Sequence, residues 1–68
     1  MSSGYSKLGE RLKKLRKQKG LTQEKLAELA QIDPKSVIDI ESGKRNPTLK
    51  TLRKITNALK VNISSMLD

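Results

Sequence analysis

The stretch LTQEKLAELAQIDPKSVIDIESG, Leu21 to Gly43, holds two helical runs, each too short to persist alone in water. The first starts behind Thr22, a good N-cap, with Glu24 in the first turn to complement the helix dipole. Leu26, Leu29 and Ala30 recur at helical spacing and are expected to face a core. Ile32 sits in the turn as an apolar plug. Asp33 then caps the second run, with Pro34 at its first position, where the missing N–H costs nothing and φ is preset. Pro34 also pushes Asp33 out of the α region, as an N-cap requires. Val37 and Ile40 form the inward stripe, and Gly43 stops the run. Isolated helices below about 12–15 residues are marginal, so tertiary packing has to hold these two at a fixed angle.

The flanking sequence supplies that packing. Leu8, Leu12 and Leu15 recur at i, i+4 and i+7, one face of a helix over about 6–19 that ends at Gly20. Lys7, Arg11, Lys13, Lys14 and Lys17 fall mostly on its other faces. Downstream of the turn Lys44-Arg45-Asn46-Pro47, Thr48 caps a fourth helix carrying Leu49, Leu52, Ile55 and Leu59. Val61 and Ile63 follow, and Asn62 is the expected cap of a brief last helix with Met66 and Leu67. The fold class is therefore all-α with five short helices. Residues 1–5 read as a flexible start, and 6–68 as one folded unit.

Composition narrows the function. In 68 residues there is no Cys and no His, which weakens any zinc or thiol chemistry and leaves the redox compartment undetermined. A domain this size buries roughly 60% of the surface its unfolded chain exposes, so its stability margin is thin. Tyr5 is the single aromatic, so the core has to be aliphatic. Fifteen Lys and Arg against seven Asp and Glu give a formal net charge of +8 and a pI near 10.1. A pI above about 9 is the electrostatic footprint of a nucleic-acid binder, although an anionic membrane surface attracts the same charge. No apolar run approaches 18 residues and there is no signal-peptide core, so the expected location is the cytoplasm.

Two short helices joined by a turn of about three or four residues define the helix-turn-helix, whose second helix can enter the major groove of B-DNA. At this point the residues resemble a known family. LKKLRKQKGLTQEKLAELA (12–30), SVIDIESGKRNPTLKTLRKI (36–55) and NALKVNISSML (57–67) are similar to the lambda-repressor-like, or XRE/Cro, family of bacterial and phage transcriptional regulators. The joint pattern G-L-T-Q-x-x-L-A followed by I-E-x-G-x-R-N-P-x-L is far more specific than a generic helix-turn-helix. The resemblance implies a compact five-helix lambda-repressor-like domain, with helix 3 at about 34–41 as the recognition helix. Three positions depart from the pattern. Gln31 stands where the family often has Gly, so a left-handed backbone there is mildly strained. Ile38 fills a slot more usually polar, and Pro34 replaces a hydrogen-bonding side chain.

The resemblance also assigns roles. Gln23, at the start of helix 2, corresponds to a phosphate contact, and helix N-termini favour anions; its plain alternative is a solvent-exposed helix former. Lys35, Ser36 and Asp39 occupy the base-facing positions. Lys35 can donate to guanine O6 or N7 and Ser36 can serve several bases. Asp39 either accepts from a cytosine amino group or pairs with a nearby basic side chain, and repulsion from phosphates favours the pairing. Lys44 and Arg45 match the loop that grips the DNA backbone, although a charged turn is often merely solvated. Arg16 and Glu41 match a partly buried ion pair between helices 1 and 3, a structural role. Ile63, Met66 and Leu67 have two open readings, a dimer surface or a cap on the core.

The function expected is sequence-specific double-stranded DNA binding as a transcriptional regulator, as a homodimer on a two-fold operator, with no cofactor. A membrane-surface role for helix 1 is disfavoured by its lack of Trp or Phe and by the core's need for its leucines. The alternative is an antitoxin-like or other protein-interaction module on the same fold. An enzyme is the poorest fit: without His, Cys or a paired-carboxylate cleft, the usual catalytic constellations are not available.

Overall fold

The computed structural model describes residues 4–67, which form five helices: α1 Gly4–Gln18, α2 Gln23–Ala30, α3 Pro34–Glu41, α4 Leu49–Leu59 and α5 Ser64–Leu67. Helix α1 starts two residues before the expected position, since the backbone of Gly4 and Tyr5 is already helical. The remainder of the segment expected to be flexible, residues 1–3, lies outside the described residues.

Side-chain caps set the starts of the three middle helices. Thr22 Oγ1 accepts from the Lys25 N–H at 3.0 Å, Asp33 Oδ1 from that of Lys35 at 2.9 Å, and Thr48 Oγ1 from that of Thr51 at 3.1 Å. Each bond satisfies one of the donors a helix start leaves without a partner. Asn62 enters the start of α5 through its backbone, its carbonyl accepting from the Ser65 N–H at 2.9 Å.

Helices α2 and α4 end alike. Gln31 (φ 58°) and Lys60 (φ 59°) are both left-handed, and the next N–H reaches back five residues, Ile32 to Ala27 O at 3.0 Å and Val61 to Thr56 O at 3.1 Å. Such a cap satisfies carbonyls the helix leaves open, at the steric cost of a Cβ in a region that favours Gly.

The core is aliphatic. Leu12, Leu26, Val37, Ile40, Ile55 and Leu59 are each at most 1% exposed, and Ala27, Ala30, Leu52 and Met66 complete the cluster. Helix α3 packs against both α1 and α2, α2 against α4, and α5 against α1. Two apolar positions depart from the sequence reading. Leu29, expected to face the core, is 48% exposed because Leu26, Ala27 and Ala30 fill the inward arc of α2. Leu49, in the first turn of α4, is 59% exposed. The apolar tail divides: Met66 lies in the core at 2% exposure, Ile63 packs against it, and Leu67 is 63% exposed. No helix among the described residues is long and apolar enough to cross a membrane.

Candidate nucleic-acid interface

Helix α3 is pinned from behind. Arg16 on α1 donates from Nε to Glu41 Oε2 at 2.6 Å and from Nη2 to Oε1 at 3.1 Å. Its third nitrogen, Nη1, donates to the Leu21 carbonyl at 2.7 Å, in the segment that leads into α2. Glu41 also accepts from Gln23 Nε2 at 3.1 Å. One carboxylate thus ties the end of α3 to α1 and to the start of α2. The pair is nearly dry, with 8% and 4% of the two side chains exposed. A forked guanidinium suits this site, because it bridges two oxygens and still reaches a third acceptor.

Gly9 brings α1 and α3 together. A Cβ there would lie 2.3 Å from the Ile40 carbonyl oxygen and 2.7 Å from that of Glu41. Both obstacles are backbone, so only a residue without a side chain allows this approach.

The opposite face of α3 is open. Successive residues advance about 100° around a helix, so with Val37 and Ile40 inward the outward arc carries Lys35, Ile38 and Asp39, with Ser36 at its edge. Lys35 is exposed, and its Nζ lies 3.4 Å from Asp39 Oδ1, the local pairing that the sequence favoured. Only 13% of the Asp39 side chain is exposed, against 74% for Lys35. Ser36 is half-buried, and its Oγ accepts from Arg45 Nη1 at 2.8 Å.

The loop after α3 folds back on the helix end. The Asp39 carbonyl accepts from the N–H groups of Lys44 (2.9 Å) and Arg45 (3.2 Å) and from Ser42 Oγ (3.1 Å). Lys44 and Arg45 therefore stand beside α3, and both are exposed. Lys35, Ser36, Asp39, Lys44 and Arg45 come together on and beside one helix face. Gln23 is attached to its rear edge through Glu41. Sequence reasoning missed the Arg45–Ser36 bond, the Gln23–Glu41 bond and the approach at Gly9. None of them leaves a signal in spacing, since each joins different elements.

The helix-turn-helix family model HTH_3 matches residues 12–65. The chain is 38% identical over 60 residues to the immunity repressor protein of Bacillus phage phi105, covering 88% of this chain and 42% of that protein. It is 41% identical over 63 residues to the control protein C.MunI of a Mycoplasma species, covering 91% and 85%. Against three other-length relatives the span is partial: the chain covers about half of the phage repressor and of two further regulators, at 42%, 48% and 55%. Among solved structures, the restriction-modification controller protein C.AhdI from Aeromonas hydrophila superposes with a TM-score of 0.90 at 39% identity, covering 91% of this chain and 94% of that one. The controller protein C.Esp1396I gives 0.87 at 37% identity, covering 98% and 91%. With these matches spanning the α1–α5 frame, the chain belongs to the XRE-type helix-turn-helix family of transcriptional regulators.

Proposed function

We propose that the chain binds double-stranded DNA sequence-specifically as a transcriptional regulator in the cytoplasm, with α3 in the major groove and two copies on a two-fold operator. The observation that carries this reading is α3 itself, buried on one face and framed on the other by Lys35, Ser36, Lys44 and Arg45. The major groove of B-DNA admits one helix, and its base edges offer acceptors to a lysine at guanine and a hydroxyl at several bases.

In this reading Lys35 and Ser36 contact base edges, while Asp39 serves chiefly to orient the Lys35 ammonium and accepts from a cytosine amino group where one is in reach. Lys44 and Arg45 neutralise phosphates. Gln23 stands at the N-terminus of α2, where N–H groups and dipole favour an anion; one amide N–H is used by Glu41 and the second serves a phosphate. Arg16 and Glu41 stay off the DNA and hold α3 in place. The DNA-binding unit is 6–68. A single recognition helix offers few base contacts, and two copies on half-sites about one helical turn apart double them. The family regulates transcription by binding, and no cofactor enters the scheme.

The test is selection of bound duplexes from a random DNA pool, followed by titration of the selected and scrambled duplexes across a salt series. Enrichment of a two-fold sequence, with affinity falling steeply as salt rises, is the expected result. No enrichment and no salt-dependent binding would turn the reading towards a protein-interaction module on the same fold.

A further inference from the structure

We propose that Ile38 reads the 5-methyl group of a thymine, which makes it a specificity-determining residue beside Lys35; the inference rests on the DNA-binding reading above. Ile38 is 46% exposed on a helix whose other aliphatic residues, Val37 and Ile40, are at 0% and 1%. Folding does not account for it. The core is closed without Ile38, and a β-branched residue on the open side of a short helix loses χ1 freedom and lowers helix propensity. Its place on the helix identifies its partner. Ile38 follows Lys35 by three residues, so the two are surface neighbours, about 60° apart and about 4.5 Å along the axis. Asp39, the acidic residue of this arc, is largely covered and tied to Lys35. The outward arc of α3 therefore presents a cation next to an apolar knob.

Base edges in the major groove carry one apolar feature, the thymine methyl, and it protrudes toward an inserted helix. An isoleucine gains by removing that methyl from water. It gains nothing from a phosphate oxygen or an amino group in the same place. With base pairs about 3.4 Å apart, the thymine lies within a step or two of the guanine met by Lys35. Every half-site carries the same pair.

The experiment replaces each thymine of the pool-selected duplex by deoxyuridine, which removes only the methyl group, and measures binding of the wild-type protein and of Ile38→Ala. For the wild type, one thymine per half-site is sensitive, with about a fourfold loss for each half-site changed, the order expected for one buried methyl. Ile38→Ala binds the thymine and deoxyuridine duplexes with nearly equal affinity at that position. The wild-type scan decides by itself if the variant folds poorly: with no sensitive thymine, the inference is wrong. A sensitive thymine that Ile38→Ala still distinguishes equally well also overturns it. A chain that selects no duplex at all takes the DNA-binding reading down with it, whereas selective binding without an Ile38-coupled thymine overturns this inference alone.

Discussion

The Arg16 guanidinium and the Glu41 carboxylate meet through two parallel bonds, 2.6 and 3.1 Å, in a site where 8% and 4% of their side chains are exposed. Truncating one partner of a buried pair leaves the other charged and without a counterpart, at a cost of about 3–5 kcal/mol. A domain of this size commands about that much in total. Arg16→Ala is therefore expected to unfold most of the protein at room temperature. Arg16→Lys, which keeps the charge but cannot span both Glu41 oxygens and the Leu21 carbonyl, falls between the two. Thermal denaturation followed by helical circular dichroism orders the three proteins; a wild-type midpoint for Arg16→Ala would contradict the structural role.

The approach at Gly9 predicts a second intolerant position. Gly→Ala inside a helix ordinarily stabilises by up to about 1 kcal/mol. Here the new methyl meets two backbone carbonyls of α3 at 2.3 and 2.7 Å, and neither can rotate away. Gly9→Ala is expected to destabilise by about 2 kcal/mol or more, as overpacking does when the neighbours are rigid. A urea titration measures it, and an unchanged midpoint would mean that α1 slides freely over α3.

How much of this was legible in the sequence follows from which signals are local. Thr22, Asp33, Thr48 and Pro34 act on their own helix starts, so residue type and spacing placed the middle helices to within a residue. Burial was legible where the period was clear, as at Leu12, Val37 and Ile40. It failed at Leu29, where four apolar residues share one turn of α2 and only the packing against α3 and α4 decides which points inward. The arrangement of the interface was legible only through the family resemblance. Arg45 on Ser36 and Gln23 on Glu41 join residues of different elements, and the period within one helix carries no information about such a pair.

Left-handed Gln31 provides a gain-of-stability test. A non-glycine residue in this region carries roughly 1–2 kcal/mol of strain, while a glycine adds entropy to the unfolded chain and returns part of that. Gln31→Gly is expected to stabilise by about 0.5–1 kcal/mol, and its side chain is exposed, so no packing is lost. A rise in the thermal midpoint of a few degrees checks the sign. A fall would show that the Gln31 side chain contributes more than its backbone costs.

The divided tail separates core from surface. Met66→Lys puts an ammonium into a site 2% exposed, and a buried charge without a partner is strongly unfavourable. The variant is expected to lose its fold. Leu67→Lys lies on a side chain 63% exposed and should change stability by no more than about 0.5 kcal/mol. Sedimentation of Leu67→Lys then reports on association alone: in the proposed dimer, a shift towards monomer places the contact at α5, and an unchanged state means that α5 makes no such contact.

The last prediction separates positioning on DNA from reading it. Phosphate contacts set affinity and salt dependence, whereas base-edge contacts set preference. In the proposed complex Lys44 belongs to the first group and Lys35 to the second. Lys44 is exposed on a loop tied to the Asp39 carbonyl through its own backbone N–H, so Lys44→Ala removes a charge without releasing the loop. It should weaken selected and scrambled duplexes alike and reduce the salt slope by about one unit, one phosphate fewer being neutralised. Lys35 is held 3.4 Å from Asp39 with its side chain 74% exposed, a pairing weak enough to yield to a guanine. Lys35→Ala should cost about 1–3 kcal/mol on the selected duplex and relax preference at one position per half-site. On scrambled duplexes its effect should be small, since the neighbouring Asp39 already offsets its charge. Both variants are titrated on both duplexes across one salt series. If Lys35→Ala weakens the two duplexes equally, Lys35 lies on a phosphate and α3 enters the groove at a different angle from the one proposed.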